Sequence, residues 1–221
     1  MTVEFDHLFI CTRENAPEIE PLLAMGLSEG QPNWHPGQGT ANRRIFFHNA
    51  FLEFLWVHNE AEATSEVIQP MGLWERWQYR QSGASPFGLA LRSTGSTRLP
   101  FETWAYRPPY LPPSLQIDVA TNSVHLDEPL LFHIPFGGRP DTFAHDRQQP
   151  LTHPAGLKAI TQMRLTLPQS RSLSPALAAI QAAGLVQFSL GQATLAEVTF
   201  DQAQQGRSAD FRPGLPLVCR W

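Results

Sequence analysis

Two residues far apart in the chain, His7 and Glu53, are of types that do chemistry together. His7 lies in the β-type run Phe5-Asp6-His7-Leu8-Phe9-Ile10. Glu53 is the one carboxylate in Phe51-Leu52-Glu53-Phe54-Leu55-Trp56-Val57. An acid inside so apolar a run must be paired, bound to a cation or protonated, because burying an unpartnered carboxylate is costly. If the two runs lie side by side, an imidazole and a carboxylate share one face, which is half of a metal site. The structural alternative is a strand histidine bonded to a neighbour and an acid paired to an arginine such as Arg43 or Arg92.

The elements around these residues follow from periodicity and punctuation. Residues 4–12 read as a strand, with Phe5, His7 and Phe9 on one face and Leu8 and Ile10 on the other. A helix should follow, with Asn15 and Glu18 as a capping box, Ile19, Leu22 and Leu23 as its stripe and Gly26 as its stop. Pro21 shortens it. Residues 28–44 are polar and turn-rich, a loop with room for one short strand. Arg44 to His48 and Phe51 to Val57 read as a hairpin. A second helix is predicted near Pro70, with Leu73, Trp74 and Trp77 inward and Gly83 ending it. Short strands are expected at 87–91, 101–106, 115–119 and 130–136, and a loop at 137–156. Strand 159–167 then restarts the opening pattern. Ser174-Pro175 begins a helix ending at Gly184, and strands near 194–200 and 215–221 follow. Both helices close on Gly-Leu, a weak internal repeat.

Composition narrows the function classes. The chain has 221 residues, 42% hydrophobic and 16% charged, with a net charge of -4. These values describe a packed globular protein and give no basis for a nucleic-acid groove. No apolar run approaches the ~20 residues of a membrane span. With no basic-then-apolar leader at its start, the chain is expected to be soluble and cytoplasmic. Cys11 and Cys219 are then expected as reduced, packed thiols. No Gly-rich phosphate loop follows a strand, and there is no Cys-x-x-Cys pair and no Gly-x-Ser-x-Gly elbow.

Segment 4–57 resembles the first module of the vicinal oxygen chelate superfamily, in its glyoxalase-like branch. The resemblance rests on Phe5-Asp6-His7-Leu8, on His35-Pro36-Gly37-Gln38-Gly39-Thr40-Ala41-Asn42 and on Phe51-Leu52-Glu53-Phe54-Leu55. It implies an α+β fold of paired βαβββ modules whose curled mixed sheets surround a cavity. Residues 1–83 would form the first module and 84–221 a second, divergent one, in one compact unit. First and last strands of a module are neighbours, which would set His7 beside Glu53. Superfamily enzymes hold a divalent metal there (Zn, Ni, Mn or Fe) and chelate two adjacent substrate oxygens.

On this resemblance His7 and Glu53 are the expected ligands, with Glu53 also catalytic, and Gln162 or Glu102 are candidates to complete the set. The final strand carries no carboxylate, and Arg164 would repel a cation. His35, Thr40, Asn42, Trp56 and His153 are candidate substrate contacts. The expected function is a metal-dependent lyase or isomerase acting on a small oxygenated molecule. The alternative is a non-catalytic protein that binds or sequesters a small molecule in the same cavity without metal. Either a monomer or a homodimer would serve.

Overall fold

The structure is a computed structural model and describes residues 3–95, 98–168 and 172–221. Strand β1 (Val3–Cys11) leads into the short helix α1 (Glu20–Ala24) and then β2 (Asn33–His35), β3 (Thr40–Phe46) and β4 (Phe51–Val57). Three short helices come next: α2 (Glu60–Ala63), α3 (Leu73–Trp77) and α4 (Tyr79–Ser82). Strands β5 (Phe87–Ser93), β6 (Thr103–Tyr106), β7 (Ile117–Ala120) and β8 (Leu130–Ile134) complete a curled eight-stranded sheet, ordered β2-β3-β4-β1-β5-β8-β7-β6. Strand β1 is parallel to β4, β5 is parallel to β8, and β1 and β5 meet antiparallel at the centre. The two halves of the sheet therefore repeat one arrangement about its middle.

A second sheet holds β9 (Ile160–Pro168), β10 (Gln187–Gly191), β11 (Leu195–Phe200), β12 (Ser208–Asp210) and β13 (Leu217–Arg220), in the order β10-β9-β11-β13-β12. Helix α5 (Pro175–Ala182) joins β9 to β10. The opening pattern does restart at β9, but its strand order differs from that of either half of the first sheet. The fold is thus α+β, with curled mixed sheets and paired halves, as the resemblance implies.

Alternation decides which face of the first sheet does what. Leu8, Ile10, Leu52, Phe54, Leu89 and Leu91 join one apolar cluster with Ile160, Met163, Leu165, Val198, Phe200 and Leu217 of the second sheet. The rings of Phe47 and Phe200 lie 4.6 Å apart across that contact. Asn49 pins the two sheets together: its amide donates to the Ile160 carbonyl (2.7 Å) and accepts from the Ile160 N–H (2.9 Å). The opposite face of the first sheet is left to line a cavity.

Local expectations hold or fail for identifiable reasons. Gly26 and Gly184 adopt φ of 101° and 71°. The next leucine N–H bonds back to Leu22 or Ile180, so both helices end in the same left-handed cap. Ser174 caps α5 by accepting from the Leu177 N–H. The capping box at Asn15 and Glu18 does not form. Asn15 and Ala16 take positive φ, and Glu18 instead accepts from Arg13 at Nε (2.8 Å) and at the backbone N–H (3.3 Å). Strands β10 and β12, both edges, were not expected from the sequence. Cys11 and Cys219 are free and buried. Among the described residues no helix is long and apolar enough to cross a membrane.

Candidate functional site

A register irregularity in β1 builds the centre of the site. Phe5 pairs with Leu91 and His7 with Ala90, so Asp6 is an extra residue in the β1–β5 ladder. Such a bulge re-aims side chains next to it. Phe5 consequently packs against the apolar cluster between the sheets and not on the face of His7, which corrects the regular alternation expected over 4–12. Asp6 instead comes within reach of the His7 ring, and its Oδ1 lies 2.6 Å from Nδ1. In a regular strand these adjacent residues would point to opposite faces.

Strand β4 supplies the other half. His7 is opposite Phe51, and Glu53 is opposite Phe9, so imidazole and carboxylate meet on the diagonal. His7 Nε2 lies 3.2 Å from Glu53 Oε2. Glu53 Oε1 accepts from the Asn42 amide at 2.7 Å, and Asn42 Oδ1 accepts from the Asn33 N–H. Behind His7, the Arg92 guanidinium donates to Asp6 Oδ2 (3.1 Å), to Glu4 (2.8 Å) and to the Asn49 carbonyl (2.7 Å). The His7 ring stacks on Phe51, with centroids 4.2 Å apart. Arg92 thus neutralises Asp6 and not Glu53, while Arg43 pairs with Glu29 and Glu20.

Burial alone would make His7 and Glu53 neutral, and their mutual contact overrides it. Burial lowers the His7 pKa, but hydrogen bonds and charge from Asp6 and Glu53 raise it to about 9. Burial raises the Glu53 pKa, but the His7 hydrogen bond and charge bring it down to about 2. At neutral pH the pair is an imidazolium and a carboxylate.

Above this floor lies a cavity of about 260 Å³. Its polar wall comes from the 33–42 segment. His35 Nδ1 donates to Thr40 Oγ1 (2.8 Å) and its Nε2 accepts from the Asn33 amide (3.1 Å), which assigns the neutral tautomer. Burial, the largest cause, drops its pKa to about 4. Gln38 donates to Thr40 and accepts from the Tyr106 hydroxyl. The Tyr110 ring packs at a tilt of 35° against His35, with centroids 4.7 Å apart. The facing wall is apolar, made of Phe9, Leu55, Met71, Leu73, Ile117 and Phe132.

The candidate residues therefore separate. His7, Glu53, His35 and Asn42 line the cavity. Thr40 is fully buried and acts by holding His35 and Gln38. Trp56 faces away into the core between the sheets, because it is odd-even out of phase with Glu53 on β4. His153 is buried elsewhere: its Nδ1 accepts from the Ser28 N–H and its Nε2 donates to the Phe46 carbonyl. Gln162 sits on the exposed face of the second sheet, hydrogen-bonded to Gln187. Glu102 lines a different hollow, beside Asn122 and Ser174. Asp6, Arg44, Tyr106 and Tyr110 were missed. The bulge that exposes Asp6 to His7 leaves no mark in residue types, and Tyr106, at the end of β6, and Tyr110, in the proline-rich stretch after it, lie far from β1 in sequence.

These donors do not make up a metal centre. At the level of His7 the second half of the sheet presents Ala90, and beside it Phe132. Among the described residues no three His, Cys, Asp or Glu side chains converge as a metal would need.

The sequence profile of the family described as "Glyoxalase-like domain" matches residues 5–181. A hypothetical protein from Staphylococcus aureus is similar along its length, at 10% identity and a TM-score of 0.58, covering 100% of this chain and 99% of that one. Methylmalonyl-CoA epimerase from Mycobacterium tuberculosis aligns at 15% identity and a TM-score of 0.38, over 60% of this chain and 87% of that one. A mutant 4-hydroxymandelate synthase from Streptomyces coelicolor aligns at 10% identity and a TM-score of 0.44, over 90% and 71%. No curated protein sequence matches the chain. With four-fifths of its length inside that profile, the chain belongs to the glyoxalase-like domain family.

Proposed function

We propose that this chain binds a small organic molecule in the cavity over its first sheet, with the His7–Glu53 pair as a polar floor and no resident metal. One observation carries the reading: Ala90 and Phe132 stand where the second half of the sheet would have to supply ligands. Structural zinc sites take about four protein donors and catalytic ones about three. Here His7 and Glu53 satisfy each other, and His35 has its ring nitrogens on Thr40 and Asn33. A cation would also have to displace the proton that His7 retains up to about pH 9.

The same values argue against proton transfer by this pair. A general acid or base works best with a pKa near the working pH. His7 at about 9 and Glu53 at about 2 lie on either side of neutrality. Binding needs neither to change state. The apolar wall takes the body of the ligand, and Asn33, Asn42 and Tyr106 orient its polar groups. A single chain supplies every one of these groups, so no second copy is required.

The metal-dependent lyase or isomerase is the second reading. It is favoured by His7 Nε2 and Glu53 Oε2 standing 3.2 Å apart, the spacing of neighbouring ligands on one ion. Asp6 behind the ring is the kind of outer carboxylate that orients a ligating histidine. The test is elemental analysis of protein purified without a histidine tag, together with mass spectrometry of its organic extract. Substoichiometric metal and a retained small molecule, lost in the cavity-filling Ala90→Trp variant, support the binding reading. Stoichiometric Zn, Ni, Mn or Fe, lost in both His7→Ala and Glu53→Ala, would overturn it.

A further inference from the structure

We infer that the ligand is an organic anion with an aromatic body, and that Arg44 holds its negative group. This deepens the binding reading above and rests on it. The cavity does not end at His7. A second chamber of about 330 Å³ adjoins it and shares Arg44, Phe51, Ile134 and Phe136 with it. The two together reach the ~300–1,000 Å³ range of ligand pockets.

Arg44 stands at the junction, on β3 directly across from Glu53. Glu53 acts on it through charge, without a direct ion pair. Arg92 is in contact with Asp6 and Glu4, and His7 is in contact with Asp6 and Glu53. Glu53 already has its two oxygens on His7 and Asn42. Among the described residues Arg44 has no ion pair. Its Nε donates to the Gln31 carbonyl at 3.0 Å, and among the described residues its two terminal nitrogens have no hydrogen-bond partner. Burial lowers its pKa, and the charge of Glu53 across the ladder offsets only part of that. A guanidinium with its terminal nitrogens free presents a flat fork that matches a carboxylate.

The surroundings of Arg44 select the rest of the molecule. Phe46, Phe51, Phe136 and Phe143 line the second chamber, and the Arg44 guanidinium lies 5.0 Å from the Phe46 ring centroid. Arg147 also lines the chamber, over Phe143 at 5.7 Å, again without an ion pair among the described residues. Asp146 and Asp6 also line this chamber. Asp6 has both oxygens occupied by His7 and Arg92, which leaves the carboxylate of Asp146 and two guanidinium cations lining the chamber. A planar aromatic acid satisfies both features: its ring stacks among the phenylalanines, and its carboxylate meets the guanidinium.

Calorimetry with two probes of one shape tests this. 2-Naphthoate carries the charge, and 2-naphthamide replaces it with a neutral amide. The wild-type protein should bind naphthoate at least ~10-fold more tightly, as expected for charge-assisted hydrogen bonds. Arg44→Gln should abolish that preference while leaving naphthamide affinity unchanged, and Arg44→Lys should restore part of it. Equal affinity for both probes in the wild type would overturn the anion and leave the binding reading standing. Binding of neither probe would remove both. A preference for naphthoate that survives in Arg44→Gln would place the anion elsewhere and overturn the role of Arg44. Should Arg44→Gln fail to fold, Arg44→Lys and the wild-type ratio decide the matter.

Discussion

At the residue scale the protein depends on a buried chain of alternating charge: Arg92, Asp6, His7 and Glu53. Each member is costly alone and tolerable together, since a buried ion needs a partner and satisfied hydrogen bonds. Two predictions follow from its titration. In Asp6→Asn, His7 loses one of the two carboxylates that hold its proton. Its pKa should fall from about 9 toward the ordinary 6.5, read by NMR of the imidazole nitrogens. An unchanged His7 titration would contradict the contact.

The second prediction concerns stability. The folded pKa of His7 is raised, so its contribution is fully present below pH 6.5 and disappears as pH rises to about 9. That of Glu53 is depressed, so its contribution is present above pH 4.5 and disappears as pH falls to about 2. Both shifts describe one interaction. It is intact from about pH 4.5 to 6.5 and amounts to about 3 kcal/mol at most. Urea denaturation at pH 6 and pH 9 should show a stability loss in the wild type that His7→Gln lacks. Equal losses in the two proteins would sink this account.

At the element scale, the site exists because β1 is irregular and β5 is thin. The bulge at Asp6 turns a carboxylate toward the ring of its own neighbour. Gly88, facing Phe9 across the β1–β5 ladder, leaves room for that ring. A Cβ there would stand 1.9 Å from a Phe9 ring atom. Gly88→Ala should therefore push Phe9 into the cavity and cost ~1–3 kcal/mol, the usual range for overpacking. Thermal denaturation and loss of probe binding would both report it, and a variant of unchanged stability with an open cavity would refute it. Helix α5 offers a control away from the cavity. Ser174→Ala removes its N-cap and should cost ~1 kcal/mol without altering ligand binding.

At the scale of the whole molecule, the second sheet is the cover for the first. Leu8, Ile10, Leu52 and Phe54 are fully buried, and the cluster that buries them includes Met163, Leu165 and Phe200. Phe200→Ala should destabilise by ~3–5 kcal/mol, as for other large core truncations, and should do so in one cooperative urea transition. Two separate transitions would mean that the sheets fold independently. A chain cut after residue 150 would expose that apolar face, so it should bind a hydrophobic dye or aggregate instead of folding as a monomer.

The sequence by itself determined the types and the order. An acid in an all-apolar strand had to find a partner, and an Asp-His strand followed by a Gly-Thr-Ala-Asn loop pointed to the family and so to His7 beside Glu53. Helix ends at Gly26, Gly184 and Ser174 were legible because capping chemistry is local. Tertiary structure decided what pairs across distance. It placed Ala90 across from His7 with Phe132 beside it, sent Trp56 into the core, and carried Gln162 to another sheet. It also inserted Asp6 into the ladder and left Arg44, among the described residues, without a direct ion pair. These outcomes depend on strand order and register, and a one-residue shift in register moves every side chain to the other face. Residue types along a chain do not specify that shift until the strands have met.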